Sequence, residues 1–264
     1  MYALITGSTS GIGKEFTYIL AKEKYNLVIV DKYDEKLKNQ KEELEKKYGI
    51  KVKNIMKDLS IESSYNEIYN EVLKDNIEID ILINNAGFAT FPNYINISLK
   101  EQRNLIMVNI MAVIQLSYLF GKDMVKRRKG KIANISSISS FIPGPYMSTY
   151  YASKAFVQSF TESIYEELKP YNVSVTAICP GPTRTNFEKR AKMEKSYMFR
   201  KLKVDNPRFV AQKAYKAIVN NKAVYVVGFY NKILTFLTRF ISLRIRRKLA
   251  LIINKGDLNT KANI

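Results

Sequence analysis

The feature that most narrows the possible folds sits at the very start of the chain. A short apolar run, Tyr2-Ala3-Leu4-Ile5-Thr6, passes directly into Gly7-Ser8-Thr9-Ser10-Gly11-Ile12-Gly13 and then into a helical pattern through Lys24. Unbroken apolarity over so few residues marks a central parallel strand, covered on both faces. Glycines at Gly-x-x-x-Gly-x-Gly spacing permit a tight turn. They also let backbone N–H groups approach a pyrophosphate at a helix N-terminus. An isolated glycine turn is only a turn; a strand before it and a helix after it give it meaning.

The alternation continues along the chain. Strands are expected over 26–30, 51–56, 79–83, 131–135, 173–178 and 223–227. Helices are expected over 34–48, from residue 61, and over 99–128, 149–169 and 207–220. This pattern predicts an α/β fold: a seven-stranded, mostly parallel, doubly wound sheet with helices on both faces. No linker, low-complexity tract or internal repeat interrupts the 264-residue chain before Val227, so 1–228 is expected to form one domain. No 18-residue uncharged apolar run is read here, so no membrane-spanning helix is expected. Nor is a signal peptide, because Met1 leads straight into a strand without a basic segment. The single cysteine, Cys179, excludes an intrachain disulfide and fits a reducing, cytoplasmic setting. With no histidine and one thiol, no metal site is expected.

Lysine and arginine outnumber acidic residues by 43 to 24, a net charge of +19. Such an excess bears on solubility and non-specific binding rather than on fold. Lysine-rich helix faces such as Lys36-Leu37-Lys38-Asn39-Gln40-Lys41 account for it, and no nucleic-acid motif accompanies it.

Reactive groups concentrate after the fifth strand. Ser136-Ser137 fall at its C-terminal end, where open α/β sheets place ligands. Tyr150 and Lys154 are four residues apart on the next helix, so they share a face at roughly 5–6 Å. A free phenol has a pKa of about 10. The neighbouring ammonium together with a cationic ring nearby is expected to draw it down to about 7–8, which takes roughly 3–4 kcal/mol, and so to create a general acid/base. Asp31 ends the second strand, 18 residues past Gly13. Its carboxylate can accept bonds from ribose hydroxyls and repels a 2′-phosphate, which leans toward NAD. Lys32 beside it could hold that phosphate, which pulls toward NADP.

Twelve residues separate Ser137 from Tyr150, the glycine turn opens the chain, and Asn84-Asn85-Ala86-Gly87 follows the fourth strand. Together with Tyr150-x-x-x-Lys154, these motifs resemble the short-chain dehydrogenase/reductase family, from Ala3 to about Val227. The resemblance implies a Rossmann fold and NAD(P)-dependent interconversion of a ketone and a secondary alcohol in a small-molecule substrate. It implies Tyr150 as proton donor, Ser137 on the carbonyl oxygen, Lys154 on the nicotinamide ribose and Asn109 holding a proton-relay water. Cofactor contacts follow at Gly7, Ser10, Gly11, Ile12, Gly13 and Asp31, at Asp58 and Leu59 by the adenine, and at Asn85, Ala86 and Gly87 by its ribose. Pro180, Gly181 and Thr185 would close over the nicotinamide. The resemblance further implies a homodimer or homotetramer built on the 99–128 and 149–169 helices. It also places a substrate lid at about 187–204, whose basic and apolar residues suit a long apolar substrate on an acidic carrier, such as a 3-oxoacyl thioester, and equally a mobile amphipathic surface loop.

Two local expectations complete the catalytic helix. Phe156, Phe160, Ile164 and Leu168 recur every four residues and read as a packed face, and Tyr151 reads as a packing residue. Residues 229–264 stand apart as a basic amphipathic tail. Lys232, Arg239, Arg244, Arg246, Arg247, Lys248 and Lys255 are interleaved with apolar side chains, and 229–255 contains no acidic residue. Such a segment can lie on a membrane surface, cover its own domain or cover a partner subunit. Two readings from other classes remain beside the enzyme: a dinucleotide-sensing binding protein without turnover, and a membrane-surface protein acting through this tail.

Overall fold

Along a strand, successive side chains leave for opposite faces of the sheet. In β1 (Tyr2–Thr6), Ala3 and Ile5 enter one core and Leu4 the other. In β2 (Asn26–Asp31), Leu27 and Ile29 oppose Val28 and Val30; in β4 (Ile79–Asn84), Ile81 and Ile83 oppose Leu82. Burial on both faces is why these strands read as continuously apolar. The computed structural model of the protein describes residues 1–91, 94–185 and 204–255, so all of the expected lid except Val204 lies outside the described residues.

One core is closed by α1 (Gly11–Lys22), α2 (Asp34–Tyr48) and α7 (Pro207–Val219), through Phe16, Leu20, Leu37, Leu44, Val210 and Ala214. The other is closed by α3 (Ser63–Lys74), α5 (Ala112–Arg127) and α6 (Ser148–Leu168), through Tyr65, Ile68, Leu116, Phe120 and Met124. With β3 (Val52–Met56), β5 (Gly130–Ile135), β6 (Val173–Cys179) and β7 (Val224–Val226), the sheet order is β3-β2-β1-β4-β5-β6-β7. Every pairing among these strands is parallel. The order reverses between β1 and β4, and ligands of such sheets bind in the crevice outside the strand ends at that point.

The expected helix over 99–128 is interrupted. It runs as α4 (Leu99–Ile106), a π turn (Met107–Met111) and then α5. A capping box between Ser98 and Glu101 starts it, and the π turn carries buried Asn109. Single π turns inside helices recur at functional sites. The whole stretch Leu99–Arg127 is long and apolar enough to cross a membrane, which corrects the expectation that no such segment exists. Here Leu105, Leu116, Phe120 and Met124 are buried within the domain, and it serves as a core helix.

The apolar stripe of α6 also differs from expectation. Its buried positions are Tyr151, Ser153, Lys154, Val157 and Thr161, whereas Phe156 is exposed and stacks on Phe160 with ring centres 5.9 Å apart. Ile164 and Leu168 alone of the four pack onto the second core. The inward side is reserved for hydrogen bonding: Asn134 donates to Thr161 Oγ1 at 3.0 Å, and Ser136 to the Lys154 carbonyl at 2.8 Å. Beyond β7 the chain forms α8 (Phe229–Leu237), a 3₁₀ turn (Thr238–Phe240) and α9 (Leu243–Lys255).

Candidate active site

The glycine turn is shaped by close approach. Gly7 has φ +64°, and a Cβ there would stand 2.9 Å from the Ala86 Cα. At Gly13 a Cβ would overlap the Gly7 carbonyl oxygen and the Asn85 amide. The ends of β1 and β4 are clamped together at this place. Asn85 Nδ2 donates to the Thr6 and Gly7 carbonyls at 3.0 and 3.1 Å, while the N–H groups of Asn85 and Ala86 donate to Thr6 Oγ1. Ser10 is the N-cap of α1 and makes no side-chain cap bond. The first N–H groups of the helix therefore keep their capacity for an anion. This uncapped, glycine-lined cradle fits a dinucleotide pyrophosphate.

Gly7, Ser10, Gly11, Ile12, Asp31, Asp58, Leu59, Asn85, Ala86, Gly87, Ser137, Tyr150, Lys154, Pro180, Gly181 and Thr185 all line one cleft of about 750 Å³. Gly13 packs behind the turn. Asn109 stands behind Gly87, where an added Cβ would lie 3.2 Å from Asn109 Oδ1 and 3.4 Å from Lys154 Nζ. Thr185 rests against Gly11, joining the loop after β6 to the glycine turn.

At the end of the cleft beside β2, Asp31 is held by the turn itself. Its Oδ2 accepts from Thr9 N–H and Oγ1 at 3.1 and 2.7 Å, and its Oδ1 accepts from Lys32 N–H at 2.8 Å. The Lys32 ammonium lies 3.7 Å from Asp58. Burial pushes the Asp58 carboxyl up, but bonds from Ser60 N–H and Oγ and the charge of Lys32 outweigh it and hold the group below its ordinary range.

Ser137 caps a short 3₁₀ turn (Ile138–Phe141), its Oγ accepting from Ser139 N–H at 3.1 Å. Tyr150 sits in the first turn of α6. Lys154 Nζ donates to the Ile135 carbonyl at 2.7 Å and lies 5.8 Å from the centre of the Tyr150 ring. A set of amide and hydroxyl bonds fixes this turn. Asn109 Nδ2 donates to Ser153 Oγ at 3.1 Å, and Ser153 Oγ to the Tyr150 carbonyl at 2.7 Å. The same Asn109 amide exchanges bonds with both backbone groups of Phe88. It thereby staples the loop after β4 to α6.

Burial dominates the electrostatics that the protein's own groups impose on this pair. Burial pushes the Tyr150 phenol up, partly offset by hydrogen bonds with Ser137 and Ser139. Burial also pushes the Lys154 ammonium down from 10.5 to about 8. The ammonium is turned to the Ile135 carbonyl, and desolvation outweighs the serine hydrogen bonds on the phenol. Tyr150 is thus a protonated donor at neutral pH. A testable consequence concerns stability. The folded lysine has the lower pKa, so the unfolded chain binds more protons between pH 8 and 10.5, and stability rises with pH across that window. Relative to Lys154→Met, wild-type stability is expected to gain about 2–3 kcal/mol between about pH 8 and pH 10 by chemical denaturation. A flat difference would show that Lys154 keeps its ordinary pKa.

Several site residues escape sequence reasoning. Ser136, Ser139 and Ser153 are visible only as serines neighbouring the named ones. Tyr151 is buried as expected, but its hydroxyl also donates to Asn254 Oδ1 at 3.0 Å, and Asn254 Nδ2 donates to the Pro145 carbonyl at 2.9 Å. Through these bonds α9 is tied to the catalytic helix, and Leu234, Ile241, Leu249 and Ile253 line the cleft.

A glycine cradle at the switch point of a parallel sheet, facing a half-buried phenol and a buried lysine, defines a dinucleotide-binding α/β domain with an acid–base site. More narrowly, the chain belongs to the short chain dehydrogenase family, whose sequence model matches residues 1–196. It is 34% identical over 187 residues to a very-long-chain 3-oxoacyl-CoA reductase of Phaeosphaeria nodorum, covering 67% of this chain and 53% of that one. It is 36% identical over 190 residues to 17-beta-hydroxysteroid dehydrogenase type 3 of Mus musculus, covering 71% and 62%. The alignments thus span little more than half the length of these curated relatives. Among solved structures, a short-chain dehydrogenase from Sphingobium yanoikuyae in complex with NADPH superposes with a TM-score of 0.81 at 26% identity, covering 91% of this chain and 96% of that one.

Proposed function

We propose that the protein is an NAD(P)-dependent oxidoreductase that interconverts a ketone and a secondary alcohol, reducing an apolar carbonyl substrate at neutral pH. The observation that carries this reading is Tyr150, hydrogen-bonded to Ser137 and kept protonated by burial, in the same cleft as the glycine cradle. When bound, the nicotinamide cofactor supplies the hydride. Tyr150 gives its proton to the carbonyl oxygen, and the Ser137 hydroxyl bonds that oxygen as negative charge develops. Lys154, cationic at pH 7, stands within reach to hold a ribose hydroxyl and to support the phenolate left behind. Asn109 and Ser153 position both side chains by fixing the first turn of α6.

Apolar lining by Ile142, Met147, Leu234, Ile241, Leu249 and Ile253 supports a long-chain 3-oxoacyl or steroid-like ketone, in line with the relatives' names. A panel of long 3-oxoacyl thioesters, steroid ketones and short ketones, followed by oxidation of the reduced dinucleotide, tests this. Absence of turnover across the panel would instead favour a binding protein.

NAD is the proposed cofactor, because Asp31 faces the ribose end while the Lys32 charge is drawn toward Asp58. Asp31→Ala is expected to shift the NADP-to-NAD ratio of kcat/KM by about tenfold toward NADP, the effect of roughly 1.4 kcal/mol of relieved repulsion. An unmoved ratio would remove Asp31 from that role. The working form is a homo-oligomer, supported by the Phe156–Phe160 stack and Tyr118 exposed on α5 and α6, and light scattering measures it. Buried, unpaired Cys179 supports a reducing, cytoplasmic setting.

A further inference from the structure

Helices α8 and α9 present their side chains in the reverse of the usual order for helices that cover a domain. Their buried residues are Asn231 and Thr235 of α8 and Ala250 and Asn254 of α9. Their large apolar residues point outward: Phe229 is 80% exposed, Phe236 55%, Phe240 74%, Leu243 63% and Ile252 63%. The inward polar groups are anchored. Asn231 Nδ2 donates to the Val227 carbonyl at 2.7 Å, and Asn254 bridges Tyr151 and Pro145. The helices are therefore held with their apolar face outward by specific bonds. A segment needed only as a roof would have buried its phenylalanines instead, each worth about 1.5–3 kcal/mol.

Three further observations choose the occupant of this face. Lys232, Arg239, Arg244, Arg247 and Lys248 are exposed among the apolar residues, and 229–255 contains no acidic side chain. A second copy seated on the same face would bring like charges together, whereas an anionic lipid surface complements both the cations and the apolar side chains. Finally, Leu234, Leu237 and Leu249 are both solvent-exposed and part of the cleft lining, so the cleft opens onto this face.

We propose that α8 and α9 seat the protein on an anionic bilayer surface and that the apolar ketone passes from the lipid into the cleft between them. The passage rests on the substrate class given above; the seating does not. The full chain is sedimented with phosphatidylcholine vesicles, with and without phosphatidylserine, and assayed with a short water-soluble ketone and with a long-chain ketone dissolved in the vesicles. Wild type is expected to bind, and more tightly with phosphatidylserine. The triple variant Arg244→Ala, Arg247→Ala, Lys248→Ala is expected to bind anionic vesicles about 100-fold more weakly, since each basic residue at such a surface contributes about a factor of five. Phe236→Glu with Phe240→Glu is expected to abolish binding to both vesicle types. Both variants should turn over the short ketone at the wild-type rate and the vesicle-borne ketone at least about tenfold more slowly. Their far-ultraviolet spectra and melting points should match wild type; the triple variant changes only exposed side chains, so it remains informative if the double variant fails to fold. Wild type remaining in the supernatant, or binding untouched by the triple variant, would overturn the seating. So would a dimer that dissociates in the phenylalanine variant while vesicle binding persists. Bound protein that reduces both ketones equally in all forms would overturn the passage alone. Vesicle binding without turnover of any ketone would overturn the enzyme reading and leave the seating supported.

Discussion

Tyr150→Phe is expected to lower kcat for carbonyl reduction by about 10³-fold while changing the dinucleotide Kd by no more than about twofold. The substitution removes one oxygen and nothing else. The ring keeps its edge-to-face contact with Tyr151 at 6.1 Å, and Lys154 keeps its bond to the Ile135 carbonyl. Positioned proton transfer contributes 10²–10⁴-fold, so the loss belongs in kcat, with cofactor binding left to the glycine cradle. Steady-state kinetics and fluorescence titration of reduced dinucleotide measure the two quantities separately. A variant that retains the parental rate would show that another group supplies the proton. A large rise in Kd instead would mean that the phenol chiefly holds cofactor. Because burial keeps the phenol protonated in the free protein, reduction is also expected to persist through neutral pH.

The contrast between Tyr150 and its surroundings shows what a sequence of this kind discloses. The sheet was legible because its central strands are buried twice over, which leaves runs such as Leu27-Val28-Ile29-Val30 without polar interruption. The glycine turn and the Ser137, Tyr150 and Lys154 spacing were legible because they are local constraints on backbone and helix face. What was not legible depends on contacts between distant segments. The direction of the Tyr150 shift follows from desolvation of the phenol by segments distant in the chain, which spacing does not encode. Asn109 reads as a polar residue within an apolar helix, but only the π turn and the Phe88 backbone reveal it as a staple. On α6, period-four phenylalanines mimic a buried stripe, while the face that is buried carries Ser153, Lys154 and Thr161. In the tail the sequence leaves the inward side open, and Asn231 and Asn254 occupy it.

Gly13→Ala is expected to destabilise the protein by about 2 kcal/mol and to weaken dinucleotide binding by at least about tenfold. Alanine in place of glycine within a helix ordinarily gains about 1 kcal/mol. At this position the added Cβ would overlap the Gly7 carbonyl and the Asn85 amide, which are backbone and a clamped side chain rather than a flexible tip. Overpacking costs about 1–3 kcal/mol where neighbours yield, and these neighbours are held from both β1 and β4, so the upper end applies and outweighs the propensity gain. Yielding would also move Gly7 and Asn85, both of which line the cleft. Binding and stability are thus coupled through one contact. Gly49→Ala provides the control: Gly49 has φ +65° with open space around its missing Cβ, so it should cost about 1 kcal/mol of backbone strain without touching the cofactor. Denaturation midpoints and dinucleotide titrations on the two variants separate close packing from turn strain. If Gly13→Ala binds dinucleotide as tightly as wild type, the cradle does not depend on the approach of β1 to β4.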